Sequence, residues 1–273
     1  MELYINTRLF YGAFFSYSLA ILSYLILIAL EKRPVLRTGI LFMSIGFFLH
    51  TLGIIFRTVE LQHAPLSNMF EYLTVLAWFA AVGYFMLLRY VQNRLFGALS
   101  GMVIFILMAA ASLLPKEGAM QLMPALRSYW LKIHVTLAAA SEGAFAVGFV
   151  SSILFLLKSS LPYSSRFGAR LPETTVADTI TYRAIAVGYP MFTIGALFAG
   201  AVWAHQAWGS FWSWDPKETC SLVVWIIYSA YLHIRIVRGT RGKVVHVLSI
   251  VGFIAAVLTF FSGMFLGGLH SYK

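Results

Sequence analysis

The sequence predicts an all-α fold, a polytopic membrane bundle of about eight transmembrane helices with both termini on the outer side. Three observations carry that prediction. Of the 273 residues, 60% are apolar and only 11% are charged, with a mean hydropathy of +0.81, whereas soluble domains average about 45–50% apolar and about 25% charged. Eight apolar stretches each reach the roughly 20 helical residues needed to cross a hydrocarbon core about 30 Å thick. The 20 Lys and Arg residues are split unevenly between alternate connections, 13 against 7.

Taken in order, the stretches are 10–30, 38–56, 72–88, 95–114, 131–157, 184–204, 217–237 and 244–269. The first reads as a retained span and not as a cleavable leader: Met1 to Thr7 carries no basic residue, and Glu31-Lys32-Arg33 stands where small residues would mark cleavage. Ser67-Asn68-Met69-Phe70-Glu71 precedes the third stretch and reads as a helix cap. The fifth opens with Trp130-Leu131-Lys132-Ile133-His134 and contains Glu142, an intramembrane acid and so a functional candidate. It is placed to partner His134 or a neighbouring helix, because eight residues on a helix return to nearly the same face. The polar connection from Lys158 to Arg183 reads as a linker between two groups of helices, leaving residues 1–273 as a single integral-membrane domain. In lipid only helices satisfy the backbone, so the spans are helical.

Basic residues concentrate at 32–37, 89–94, 158–183 and 235–243, which assigns those connections to the cytoplasm. The loops at 57–71, 115–130 and 205–216 then face the periplasm or its equivalent. The net charge of +10 is thereby explained as topology, and nucleic acid is not a partner. Cys220 is the only cysteine; with no CxxC or CxxCH, the chain is neither a dithiol oxidoreductase nor itself a c-type cytochrome.

The chemistry-bearing residues are histidines and tryptophans. On this topology His63, His205 and His270 lie at the outer surface, His134 within about a turn of it, and His50 in the outer half of the second span. His233 and His246 lie toward the cytoplasmic ends of the last two spans. Imidazole is the commonest transition-metal ligand. His63 and His246 read most simply as hydrogen-bonded surface groups, His205 as a residue shaping its loop, and His50 equally as a core hydrogen-bonder or an inner ligand. The segment from Trp203 to Thr219 holds four of the seven tryptophans: Trp203, Trp208, Trp212 and Trp214. Their clustering predicts a flat aromatic platform at a helix end in preference to an interfacial belt. Asp215-Pro216-Lys217-Glu218 combines a cap residue, a first-turn proline and an acid three residues on, a capping box for the seventh helix.

Trp208-Gly209-Ser210-Phe211-Trp212-Ser213-Trp214-Asp215-Pro216-Lys217-Glu218-Thr219 resembles the "WWD" signature of haem-handling proteins, in the form found in the CcsA (ResC) family of System II cytochrome c biogenesis. The Asp-Pro-Lys-Glu ending separates it from the related CcmC proteins. Pro65-Leu66-Ser67-Asn68-Met69-Phe70-Glu71 also resembles a CcsA segment. The resemblance implies a cytochrome c biogenesis protein of a bacterial inner membrane or a thylakoid, with the WWD loop, about 203–218, on the periplasmic or lumenal side. It implies His134 and His270 as axial ligands of haem iron, Trp208, Trp212, Trp214 and Asp215 as parts of the haem site, and His233 as a ligand of an inner site, whose second ligand is not identified. It also implies a CcsB (ResB) partner and an apocytochrome c with a CxxCH segment as the acceptor of haem b held non-covalently in transit.

This placement agrees with coordination chemistry, since two neutral imidazoles from different helices can occupy both axial positions of one iron. Arg57, Arg127 and Lys132 lie on the side appropriate for the haem propionates. The expected activity is holocytochrome c synthesis, or haem lyase activity, with the partner. A haem exporter or delivery protein without synthase activity is the alternative. A dihaem b-type electron carrier requires two histidine pairs stacked across the bilayer, and the inner set is incomplete.

Overall fold

The computed structural model describes residues 4–30, 35–88, 90–116, 122–162 and 165–269, and the only regular elements among them are helices. Helices α1 (Ile5–Leu30), α2 (Val35–Leu61), α3 (Met69–Leu88), α4 (Arg94–Ser112), α5 (Tyr129–Ser160), α6 (Thr174–Phe192), α7 (Gly200–Trp208), α8 (Pro216–Val237) and α9 (Lys243–Phe265) follow in order. A π-helical turn, Thr193–Ala199, joins α6 to α7. Among the described residues eight helical segments are long and apolar enough to cross a membrane, with α6, the π turn and α7 counting as one of 35 residues. The predicted all-α membrane bundle is therefore the observed architecture.

Two boundaries differ from those predicted. Helix α6 begins at Thr174, ten residues before the stretch assigned to it, because Asp178 and Thr181 are buried inside the fold and find polar partners there. The chain also gathers into two compact units, Met1–Leu122 with Ser164–Leu171 and Met123–Tyr163 with Pro172–Lys273. The helices thus divide ahead of α5, since α5 packs most extensively with α6 and also lies against α9, while part of the polar connection 158–183 belongs to the first unit and the rest to the second.

In the first unit α1 lies along α2, and α4 packs against both α1 and α3. Tyr24 makes this close approach possible only opposite glycine: a Cβ at Gly39 or Gly97 would stand 2.6 or 2.7 Å from its ring. Its hydroxyl shares a 2.7 Å hydrogen bond with the hydroxyl of Tyr84. Asn93 caps α4 by accepting from the amides of Leu95 and Phe96, and its Nδ2 donates to the carbonyl of Arg170, tying the 165–171 segment back onto this unit.

In the second unit α5 is the interior helix. Sixty-seven per cent of its membrane-spanning window is buried, against 17% for α8. Its sequence explains the difference. Ala138, Ala139, Ser141, Gly143, Ala146, Gly148, Ser151 and Ser152 are all buried, and small residues of this kind let neighbouring backbones approach closely in lipid. Pro190 inside α6 removes a backbone donor from the helical ladder, and the π turn follows within three residues. Such turns concentrate at functional sites.

Candidate functional site

His134 sits in the second turn of α5, whose first turn is capped by the hydroxyl of Ser128 accepting from the amide of Trp130. Its Nδ1 lies 2.9 Å from the carbonyl oxygen of Gly195 in the π turn. A carbonyl only accepts, so Nδ1 is the protonated nitrogen and the lone pair of the neutral ring resides on Nε2. The same carbonyl also accepts from the amide of Gly200. Both glycines are required by space. A Cβ at Gly195 would fall 2.3 Å from Cβ of Leu137, and one at Gly200 would fall 2.9 Å from Nδ1 of His134.

The imidazole lies parallel to the indole of Trp203, with ring centroids 5.9 Å apart and an interplanar angle of 8°. Trp203 is itself buried and donates from Nε1 to the carbonyl of Ala125. Trp208 meets Trp203 edge to face, 5.0 Å away at 77°. Helix α7 is held on this side by the Ser128 hydroxyl, which donates to Oε1 of Gln206 at 2.6 Å. His134, Trp203 and Trp208 thus form a continuous file of rings reaching the C-terminal end of α7.

The tryptophan-rich segment is shorter as a loop than predicted. Residues 203–208 belong to α7, which ends at Gly209 with φ +86° and its amide on the carbonyl of His205. Residues 210–215 make the crossing to α8. The four indoles do not form one flat platform. Trp212 and Trp214 are perpendicular, 5.7 Å apart at 90°, so the cluster is two edge-to-face pairs, an arrangement favoured by the ring quadrupole. Trp214 is 69% exposed and has φ +58°, a conformation that costs a non-glycine residue about 1–3 kcal/mol. The amides on either side of it, Ser213 and Asp215, both donate to Oε2 of Glu218, which holds the strained residue and its exposed ring in place. His205 stacks on Phe211 at 4.2 Å, consistent with a loop-shaping role.

Asp215 and Glu218 form the predicted capping box of α8. Asp215 does more than cap. Its Oδ2 accepts from the amide of Lys217 at 3.0 Å, while Oδ1 accepts from the amide of Leu269 at 2.6 Å. Gly267 and Gly268 adopt φ +71° and +112° to bring that amide in. His270, the second predicted axial ligand, lies outside the described residues; Leu269 is the residue before it.

The remaining predicted residues divide by environment. His50 is 1% exposed, with Nδ1 3.4 Å from the Tyr17 hydroxyl and the two rings edge to face, while its Nε2 is buried without a hydrogen-bond partner among the described residues, so the core hydrogen-bonding and inner-ligand readings both stand. His233 is exposed on α8. His63 has Nδ1 2.9 Å from the carbonyl of Ala64. His246, read from the sequence as a surface group, is instead fully buried: it stacks on Phe155 at 3.6 Å, with Nδ1 3.2 Å from the Ser152 hydroxyl and Nε2 3.4 Å from Oδ1 of Asp178. Arg235 completes the group through a 2.6 Å ion pair with Asp178. Of the three cations considered for propionates, Arg57 is buried in the first unit, donating from Nε and Nη2 to Oε1 of Glu71 and from Nη2 to the carbonyl of Lys116. Arg127 and Lys132 are exposed beside the start of α5. Glu142 is buried within electrostatic range of Lys217 and Tyr228 on α8.

Sequence reasoning missed Gly195, Gly200, the continuation of the helix to Trp208, and the Asp215 to Leu269 bond. Their only local signals are Pro190 ahead of two glycines and the Gly267-Gly268 pair ahead of His270.

Comparison with known proteins bears on the whole arrangement. Residues 66–270, which contain α3 to α9, match the family described as Cytochrome C assembly protein. The protein named Cytochrome c biogenesis protein CcsA from Mesostigma viride is 34% identical over 261 residues, covering 86% of this chain and 84% of the relative. The CcsA proteins of Porphyra purpurea and Gloeobacter violaceus are 38% and 35% identical, covering 76% and 79% of this chain and 78% and 80% of the relatives. Among solved structures, Cytochrome c Heme Lyase CcmF superposes with a TM-score of 0.74 at 14% identity, over 96% of this chain and 48% of CcmF. This chain therefore spans about half the length of that protein, and the likeness is one of fold. The family match and the extent of identity to these relatives establish that the chain belongs to the cytochrome c assembly protein family, in its CcsA group.

Proposed function

We propose that this chain is the haem-presenting membrane component of cytochrome c assembly. It holds haem b non-covalently between His134 and His270, against Trp208, Trp212 and Trp214, and offers the vinyl groups to the CxxCH cysteines of an apocytochrome c. The observation that carries the reading is the state of His134. Its Nδ1–H is committed to the Gly195 carbonyl, which fixes both the tautomer and the ring plane and places the lone pair on Nε2, the arrangement metal-ligating histidines share. The indole of Trp203 flanks the ring in a parallel plane, with centroids 5.9 Å apart.

Haem is the substrate here and supplies the iron and two vinyl groups. Each cysteine thiol adds across one vinyl double bond, so that a C–S bond forms, the thiol hydrogen ends on the neighbouring vinyl carbon, and no electrons are gained or lost overall. The chain contributes orientation. The edge-to-face indole pairs offer apolar area to the porphyrin, and Lys132 and Arg127, exposed near His134, are the cations suited to the propionates. The distribution of basic residues supports a periplasmic or lumenal position for this end of the second unit. Helix α8 has the least buried spanning window and exposes His233, which supports a partner of the CcsB type covering that face and completing an inner haem site.

The test is purification of the full chain with its partner from membranes. The wild-type complex is expected to carry non-covalent, low-spin haem. His134→Ala and His270→Ala are each expected to convert the outer haem to a different spin state and to abolish thioether formation. Normal cytochrome c maturation in both single variants overturns the reading. Loss of thioether product with haem retained at an inner site separates attachment from export, whereas equal depletion of both haem pools favours simple passage.

A further inference from the structure

We infer that Asp215 is a positioning residue for the second iron ligand, a clamp that joins the start of α8 to the backbone immediately before His270. The inference rests on the proposed role of His270. The observations behind it are independent of that role. Asp215 is 5% exposed, and its two carboxylate oxygens serve two separate segments: Oδ2 the amide of Lys217, and Oδ1 the amide of Leu269, 54 residues away, at 2.6 Å. Capping alone needs only the first of these. Charge-assisted bonds to a carboxylate are shorter and stronger than neutral ones, and this one closes at the residue preceding His270.

The chain before Leu269 is shaped to the carboxylate. Gly268 has φ +112°, and a Cβ there would stand 2.3 Å from Oδ1 of Asp215 and 2.9 Å from Cδ of Pro216. Gly267 is also left-handed, with φ +71°. Two successive glycines in conformations that L side chains rarely adopt let the backbone after α9 turn onto Asp215. The acid therefore couples the tryptophan-rich loop, which it terminates, to the segment that carries His270.

The experiment uses the full chain in detergent, with and without haem, and three variants. Asp215→Ala removes both bonds, Gly268→Ala crowds Oδ1 of Asp215 and so blocks the approach of the terminal segment while keeping the carboxylate whose Oδ2 caps Lys217, and Val224→Ala trims a fully buried α8 side chain as a control for general destabilisation. In the haem-free chain, amide exchange at Leu269 is expected to quicken by about tenfold or more in the first two variants and to stay near wild type in the third. In the haem-loaded complex the first two are expected to lose the low-spin spectrum and to recover it on addition of free imidazole, which fills the vacated axial position. Wild-type exchange and spectrum in Asp215→Ala and Gly268→Ala, with His270→Ala still altering the spectrum, overturn the clamp and leave the proposed function standing. An unaltered spectrum in His270→Ala overturns the ligand assignment and the clamp's purpose with it. A change in Val224→Ala equal to that in the other two reduces Asp215 to a helix cap.

Discussion

Helices α3 and α8 begin with the same kind of signature, a polar cap followed three residues later by a glutamate, yet the two starts are wired differently. At α3, Asn68 accepts from the amide of Glu71, and Glu71 turns back to accept from the amide and hydroxyl of Ser67. Its second oxygen is then consumed by Arg57, and the pair is enclosed, with side-chain exposures of 7% and 0%. Phe70 lies beneath the guanidinium at 5.0 Å. At α8 the glutamate stays with the loop, and the cap residue itself, Asp215, reaches a distant backbone amide. The first start is a closed structural knot. The second is a joint between two segments that both belong to the candidate site. A cap motif in sequence therefore reports where a helix begins and says nothing of what the spare oxygen does.

Breaking each start should separate stability from function. Glu71→Ala leaves the Arg57 guanidinium buried without its counter-charge, and removal of one partner from a buried pair typically costs about 3–5 kcal/mol. The expected result is a large drop in thermal midpoint and in the amount of folded protein, with each surviving molecule retaining its haem spectrum. A smaller loss is expected from Gly195→Ala. The added methyl would overlap Cβ of Leu137 at 2.3 Å, and overpacking of this kind costs about 1–3 kcal/mol. Because Gly195 also anchors His134, its haem spectrum should change as well, which Glu71→Ala should not produce. Absorbance spectra at matched protein concentration, alongside unfolding curves, check both.

Asp215→Ala reverses the ratio of the two effects. Loss of a helix cap costs about 0.5–2 kcal/mol, modest beside the buried ion pair, but maturation of cytochrome c should fall far more than folded protein does. Equal losses of both would place Asp215 in the same class as Glu71 and remove the distinction between the two helix starts.

The fold was legible because the solvent leaves few choices. A chain with this hydropathy must form helices of membrane length, and apolar stretches mark them to within a few residues, with α6 the exception. Its first turns are polar in sequence, but Asp178 and Thr181 are buried against Arg235, His246 and Ser152, so hydropathy discards residues that pairing retains. His246 was misread for the same reason: a lone imidazole carries no sign of the acid waiting on another helix. Within the candidate site, the capping box was legible because its partners are three residues apart. The bond from Asp215 to Leu269 was not, because nothing local to either residue names the other. The geometry of the indoles was equally hidden, since composition gives a count of tryptophans and packing alone decides whether they lie flat or edge on.

The least effect is expected at the exposed counterpart of these buried pairs. Lys158 and Glu173 approach to 3.5 Å, but the glutamate side chain is 73% exposed. Water already stabilises the carboxylate there, and pairs with an exposed partner contribute at most about 1 kcal/mol and often nothing measurable. Glu173→Gln should therefore leave the thermal midpoint and the haem spectrum within error of wild type, even though it removes a carboxylate as completely as Glu71→Ala does. A substantial destabilisation by Glu173→Gln would mean that the polar 158–173 connection is packed against another surface in the membrane, for which a partner subunit is the available candidate. Repeating the measurement with and without the partner distinguishes the two sources, because only a covered carboxylate becomes costly to replace.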